Sequence, residues 1–250
     1  MRLALAVVRV TADQAYNERR LLMAMQEAAS ARADLVLFPE AALTGLSNVD
    51  EPAHDLALGQ PIPGQVTQRL GAQARVLGLW VGLGLLERAG DQLYDSAVLL
   101  DDQGELRLHY RRITPGWHGP HASPGVYCEG RTIPVAEAPW GTMAFAICGD
   151  LFDDAVAARL ARLDLQWLLF PFARAFDDGS ADQRRWDREE MPAYRGQVQR
   201  VGCTTLMVNY LADASLEDDN SFGGAFVVDS AGALIAQFPL GREGLLIVDL

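Results

Sequence analysis

Two side chains in this sequence stand where chemistry is more informative than packing. Cys148 closes the apolar run from Thr142 to Ile147 and is followed by Gly149, Asp150 and a segment with helical spacing. A thiol at such a strand-to-helix turn lies near the positive end of a helix, which favours the nucleophilic thiolate. Free cysteine also packs as a small buried hydrophobe, and the local context fits both roles. Glu40 follows Phe38 and Pro39 at the end of a short apolar strand and precedes Ala41-Ala42-Leu43-Thr44-Gly45. A carboxylate at the rim of a sheet can serve as a general base or simply satisfy a loop.

Other signals exclude chemistry. All 21 basic residues are Arg, so a Schiff base, a P-loop lysine and an ammonium donor to an oxyanion are ruled out. Gly82-Leu83-Gly84 lacks the third glycine of a dinucleotide fingerprint and sits inside a strand pattern. There is no Gly-x-Ser-x-Gly elbow and no His-Glu-x-x-His motif. His109, His118 and His121 with Cys128 are possible metal ligands, but none has a partner pair at finger-like spacing, and neither metal nor cofactor is expected. Cys128, Cys148 and Cys203 are an odd number in a chain large enough to rely on its core, so no disulfide framework is expected.

The elements that must position Cys148 and Glu40 belong to an ordinary globular chain. The 250 residues are 50% hydrophobic and 22% charged, with no linker-like shift and no repeat, which predicts one domain over 1–250. A net charge of −12 leaves no basic face for nucleic acid and disfavours an anionic membrane. The apolar stretch Leu3 to Val8 is cut by Arg9 with no cleavage pattern behind it, and a cytoplasmic location is expected.

Periodicity predicts helices over Asn17 to Ala33, Val66 to Leu77, Phe152 to Leu163 and Trp186 to Val201, the last interrupted by Pro192. Strands are predicted from Arg2 to Val10, Asp34 to Pro39, Leu79 to Leu86, Leu93 to Leu100 and Glu105 to Tyr110. Further strands follow at Thr132 to Ala136, Thr142 to Cys148, Leu165 to Phe172, Cys203 to Tyr210, Gly224 to Asp229, Leu234 to Phe238 and Leu245 to Leu250. Between them, Ile113 to Gly130 has no period and many Pro, Gly and His, the mark of a long ordered loop with a function. This is a layered α/β or α+β domain.

Taken in order, these segments resemble the nitrilase superfamily of carbon–nitrogen hydrolases. The resemblance is carried by Asn17, Ala33 to Glu40, Leu43-Thr44-Gly45, Tyr94 to Ala97 and Asp102 to Gly104. It continues through Tyr110-Arg111-Arg112, Cys148-Gly149-Asp150, Phe170-Pro171, Asn209, Phe222-Gly223-Gly224 and Asp229 to Gly232. It implies an α-β-β-α sandwich, usually paired across a helical face, so a homodimer or higher homo-oligomer is expected.

The resemblance also implies a Glu, Lys, Cys triad. Glu40 and Cys148 fall on its first and third positions, while Arg112 stands on the second. A further glutamate that many members carry between the Lys and the Cys has no counterpart in His121 to Tyr127, with Glu129 the nearest carboxylate, and Gly149 stands where an aromatic residue often follows the nucleophile. The implied chemistry is acyl transfer on a small amide, carbamoyl amine or nitrile. Glu40 would be the base and Cys148 the nucleophile, with Arg112 and the Gly149 N–H holding the oxyanion. The alternative is a catalytically silent relative that binds a ligand or partner. For the substrate, the acidic run Ser215 to Asn220 could attract a cationic amine or carbamoyl amine or be an ordinary solvated loop, whereas Arg174 could instead clamp a carboxylate, and the sequence does not choose.

Overall fold

The first half of the chain builds β1 (Arg2–Val7), β2 (Arg9–Val10), α1 (Gln14–Ser30), β3 (Leu35–Leu37), α2 (Pro52–Leu58), α3 (Gln65–Leu77), β4 (Trp80–Ala89), β5 (Gln92–Leu100) and β6 (Leu106–Arg111). The second half builds β7 (Ala136–Ala138), β8 (Gly141–Phe145), a 3₁₀ turn at Cys148–Phe152, α4 (Asp154–Leu160) and β9 (Trp167–Phe172). These are followed by α5 (Gln183–Arg185), α6 (Met191–Val201), β10 (Thr204–Asn209), β11 (Leu211–Ala212), β12 (Ala225–Val228), β13 (Leu234–Phe238) and β14 (Gly244–Asp249). This computed structural model describes residues 1–217 and 219–250.

The strands form two six-stranded sheets, ordered β14-β1-β3-β4-β5-β6 and β13-β12-β10-β9-β8-β7. In each sheet three central strands are parallel, β1, β3 and β4 in one and β8, β9 and β10 in the other, with antiparallel partners outside them. Central parallel strands are covered on both faces, which is why they read as continuous apolar runs. The side-chain period of two sorts those runs into layers. Leu3, Leu5, Leu35 and Leu37 meet Phe145, Leu169, Leu206 and Val208 between the sheets. Ala4, Ala6, Val36 and Phe38 face outward to Leu21 and Met25 of α1 and Leu70 and Ala74 of α3. On the other side Ala144, Leu168, Phe170 and Met207 pack against Val156 and Leu160 of α4 and Tyr194 and Val198 of α6. The result is the α-β-β-α sandwich.

Where the structure differs from the sequence-based reading, a local cause is visible. Helix α1 begins at Gln14, earlier than its apolar stripe, because Asp13 caps it by accepting from the Tyr16 N–H at 3.0 Å. The segment Arg2 to Val10 is two strands, since Val8 hands its carbonyl to Leu211 and β2 pairs with β11 instead of the main sheet. Strand β7 lies at Ala136–Ala138, beyond Pro134, which has no N–H to give a ladder. Helix α2 has no apolar stripe, since Asp55 is its one buried residue, so periodicity does not reveal it. Trp186 to Val201 divides into a π-turn at Trp186–Glu190 and α6, whose first turn holds Pro192. Pro192 sits just after the π-turn, where the bonding has already shifted and Met191 donates to the Trp186 carbonyl.

The parallel strands deliver the chain to one rim, where open α/β sheets place their sites. Glu40 lies three residues past β3, Cys148 three past β8, and Arg174 two past β9. The Glu40 turn is held against β4, where Gly84 donates its N–H to the Pro39 carbonyl at 3.1 Å and accepts from the Ala42 N–H at 2.9 Å. A methyl at Gly84 would meet the Glu40 Cα and the Pro39 carbonyl oxygen at 2.6 Å. Gly84→Ala should therefore cost about 1–3 kcal/mol by overpacking rigid backbone. Gly196→Ala, on an open face of α6, should be neutral or gain up to about 1 kcal/mol. Urea unfolding of both variants checks the contrast.

Candidate active site

Cys148 opens the 3₁₀ turn with a φ of +45°, and Ala41, next to Glu40, has a φ of +44°. A non-glycine residue held in this region costs about 1–3 kcal/mol and persists only where its surroundings fix it. Both turns aim a side chain into the same space. Glu40 is fully buried, and Arg112, 4% exposed, places its Nη1 3.0 Å from Glu40 Oε1. Burial raises the Glu40 carboxyl well above its usual range, the nearby Cys148 and Asp95 push it further up, and Arg112 opposes them. The Cys148 thiol donates to the Ala173 carbonyl at 3.5 Å. Glu40, Arg112 and Cys148 are thus brought together, while in sequence they span more than 100 positions.

Two buried carboxylates beyond the sequence reading organise this cluster. Asp95, in β5, accepts from Arg112 Nη1 at 3.4 Å through Oδ2, and its backbone carbonyl accepts from the Arg112 N–H at 2.8 Å. Asp150 accepts from five donors: the Ile147, Ile113 and Thr114 N–H groups at 3.0, 3.1 and 2.9 Å, the Thr114 hydroxyl at 2.9 Å and the Tyr110 hydroxyl at 2.6 Å. It therefore ties the turn that carries Cys148 to the segment that carries Arg112. Each sits inside a segment of the family resemblance, but their contacts are long-range and leave no periodic signal.

Gly149 is explained by Arg112. A Cβ at Gly149 would stand 2.7 Å from Arg112 Nη2 and 3.0 Å from Thr114 Oγ1, so the guanidinium occupies the room that a side chain there would take. Its other contacts fix it in place, with Nε donating to Thr114 Oγ1 at 3.2 Å and Nη2 to the Pro115 carbonyl at 3.3 Å.

Arg174 is placed differently from the expectation of a free carboxylate clamp. Its fork is already engaged by Glu190, at 3.2 Å from Nε and 2.7 Å from Nη2, so a substrate carboxylate would have to displace a protein one. Its backbone is held in turn by the Asn209 amide, which accepts from the Arg174 N–H at 3.3 Å and donates to the Arg174 carbonyl at 2.9 Å. Arg174 lines a cavity of about 420 Å³ that begins at Ala173 and includes Asn48, Tyr210, Glu217 and Asp219. Asp219 accepts from the Tyr210 hydroxyl, and Asp218 of the same acidic run lies outside the described residues.

A larger cavity, about 940 Å³, lies elsewhere, along Tyr94, His109, Arg111, His118, Cys128 and Glu129. Alternate residues along β6 and just past it point to opposite faces, so Tyr110 and Arg112 serve the Cys148 cluster while His109 and Arg111 turn to Glu87. His118 pairs with Glu129 at 3.2 Å, and among the described residues no group of three His, Cys, Asp or Glu could hold a metal. Burial pushes the Glu87 carboxyl up, but hydrogen bonds from His109, Arg111 and Ser96 more than reverse this and hold it at about 2.

Two predictions follow from these carboxylates. Asp150→Ala strips charged acceptors from buried donors and should cost roughly 2–4 kcal/mol, read as a lower urea midpoint. Glu87 is ionised in the fold to a lower pH than in the unfolded chain, so its contribution is complete above pH 4.5 and is lost as pH falls towards 2. Glu87→Gln should flatten the decline of the urea midpoint across that window.

A sequence model of the carbon-nitrogen hydrolase family matches residues 2–250. The deaminated glutathione amidase of Mus musculus is 26% identical over 247 residues, covering 94% of this chain and 73% of its own. An aliphatic nitrilase of Sinorhizobium fredii is 26% identical over 246 residues, covering 90% and 78%. In the solved structures, a glutamate-to-glutamine mutant of the amidase from Nesterenkonia sp. AN1, with acrylamide added to its active-site cysteine, matches this fold with a TM-score of 0.79 at 24% identity, over 100% of this chain and 93% of that one.

Proposed function

The chain belongs to the carbon-nitrogen hydrolase family, and from that premise we propose that it cleaves a small amide, carbamoyl amine or nitrile by acyl transfer through Cys148. For an amide, the Glu40 carboxylate takes the thiol proton while the sulfur bonds to the carbonyl carbon. The C–N bond then breaks, and the proton on Glu40 leaves with the amine or ammonia. Water attacks the thioester, Glu40 accepts its proton, the S–C bond breaks and the proton returns to sulfur. The carboxylic acid departs.

The observation that carries this reading is the convergence of Glu40 and a Cys148 held at φ +45°, at the ends of parallel strands from the two sheets, with Arg112 just past the antiparallel edge strand β6. Arg112 takes the oxyanion role in it. Electrostatic stabilisation needs fixed donors, and Arg112 Nη2 already lies against Gly149, whose backbone N–H follows the nucleophile. Arg112 cannot relay a proton, since a guanidinium stays protonated. Burial pulls its pKa down, but Glu40, Cys148 and Asp95 more than compensate and raise it. The names of the relatives support amides and nitriles as the substrate class. The acidic Glu217 and Asp219 beside Ala173 favour a cationic substituent, and the pairing of Arg174 with Glu190 leaves less support for an anionic one.

One observation favours the second reading, a binding protein without turnover. The Arg112 N–H groups are largely committed to Glu40, Asp95, Thr114 and the Pro115 carbonyl, and the thiol donates to Ala173.

Ammonia release from a panel of small amides and carbamoyl amines decides between the two. Cys148→Ser should lower turnover by about 10³-fold or more, and Glu40→Gln by about 10²–10⁴-fold. Arg112→Lys should lower kcat/KM by roughly 10–100-fold, because the shorter ammonium sits off the oxyanion by about 1 Å. Turnover unchanged in Arg112→Lys would remove Arg112 from the oxyanion, and silence of the wild type on every substrate would favour the binding protein.

A further inference from the structure

Glu40 and Asp95 are both fully buried and both lean on one nitrogen, Arg112 Nη1, at 3.0 and 3.4 Å. Each keeps one oxygen, Glu40 Oε2 and Asp95 Oδ1, that is buried without a hydrogen-bond donor. Both carboxyl groups converge on that one nitrogen, which sets them side by side in the dry interior. An ionised carboxylate only accepts, so two ionised groups would leave both oxygens orphaned and give the cluster one uncompensated negative charge away from water. A single proton on either carboxyl, donated to the other, pairs the two groups and brings Glu40, Asp95 and Arg112 to zero net charge.

We propose that Asp95 is a positioning residue for the Glu40 base, the two carboxyl groups holding one proton between them at neutral pH under the fixed charge of Arg112. The guanidinium releases no proton, so every proton moved in this cluster resides on Cys148, Glu40 or Asp95. The remaining groups facing the pair push the same way. Cys148 disfavours ionisation of Glu40 and Asp150 disfavours ionisation of Asp95. Tyr110, whose hydroxyl donates to Asp150, and Tyr194 carry the nearby phenols, and burial raises both, keeping them neutral. Burial first, then Cys148 and then the Asp95 carboxyl raise Glu40, while burial raises Asp95 against the pull of Arg112. Asp95 thereby lets one base and one permanent cation share a dry site: it takes up the proton that would otherwise neutralise Glu40 outright.

The inference deepens the reading of Glu40 as general base, and it is tested without turnover. Infrared spectra of the intact protein at neutral pH should contain a carboxylic-acid C=O band. Carbon-13 labelling of aspartate carboxyls should move part of it, and so should labelling of glutamate carboxyls, a result that needs no variant. The band should vanish in Asp95→Asn and in Glu40→Gln alike, since the carboxylate that remains pairs alone with Arg112 and ionises. Absence of the band in the wild type, a response to one label only, or its survival in either variant overturns the shared proton. Ammonia release, measured separately on the same wild-type sample, reports whether the acyl-transfer reading fails.

Discussion

A permanent cation buried between two carboxyl groups is the constraint around which the rest of this site is arranged. A guanidinium out of contact with water is tolerated only when its charge and its N–H groups are matched, and removing one partner from such a cluster costs about 3–5 kcal/mol. Glu40 and Asp95 supply the charge, while Thr114 and the Pro115 carbonyl take further N–H groups. The size of the guanidinium propagates outward. It fills the volume beside residue 149, so the residue after Cys148 has no side chain. Arg112 and Gly149 are in this sense one steric decision made at two positions 37 residues apart.

That cluster stays in register because a second carboxylate, Asp150, holds the two segments that carry it. Three of its five donors are backbone N–H groups from Ile113, Thr114 and Ile147, which a side chain must satisfy because no strand continues there. The Cys148 turn and the Arg112 segment therefore move together or not at all. The strained φ of Cys148 can persist in such a setting, since Asp150 caps the turn from within while the strand β8 anchors it from the other side. The sandwich supplies the remaining rigidity. Each sheet brings parallel strands to the same rim, and the leucine-rich layer between the sheets fixes how the Glu40 sheet sits on the Cys148 sheet.

The amino-acid sequence by itself determined the layered α/β class and most of the strands, because runs buried on both faces must be continuously apolar and are closed by Pro and Gly. It also determined where Glu40 and Cys148 emerge, since both follow such runs directly. The absence of lysine bounded the chemistry before any coordinates. Helix α2 and the exact place of β7 were not legible, the first because it buries a carboxylate and not an apolar stripe, the second because a three-residue pairing is decided by its partner β8. The tertiary structure alone decided the company these residues keep. It gave Arg174 to Glu190, gave Asp95 to Arg112 and turned Gly84 and Gly149 into points of close approach. The physical reason is range. Periodicity reports which face a residue takes within its own element, whereas the charge balance at Arg112 depends on Glu40, 72 residues away, and on Asp95, 17 away, and is set only when β3, β5 and β6 assemble in one sheet.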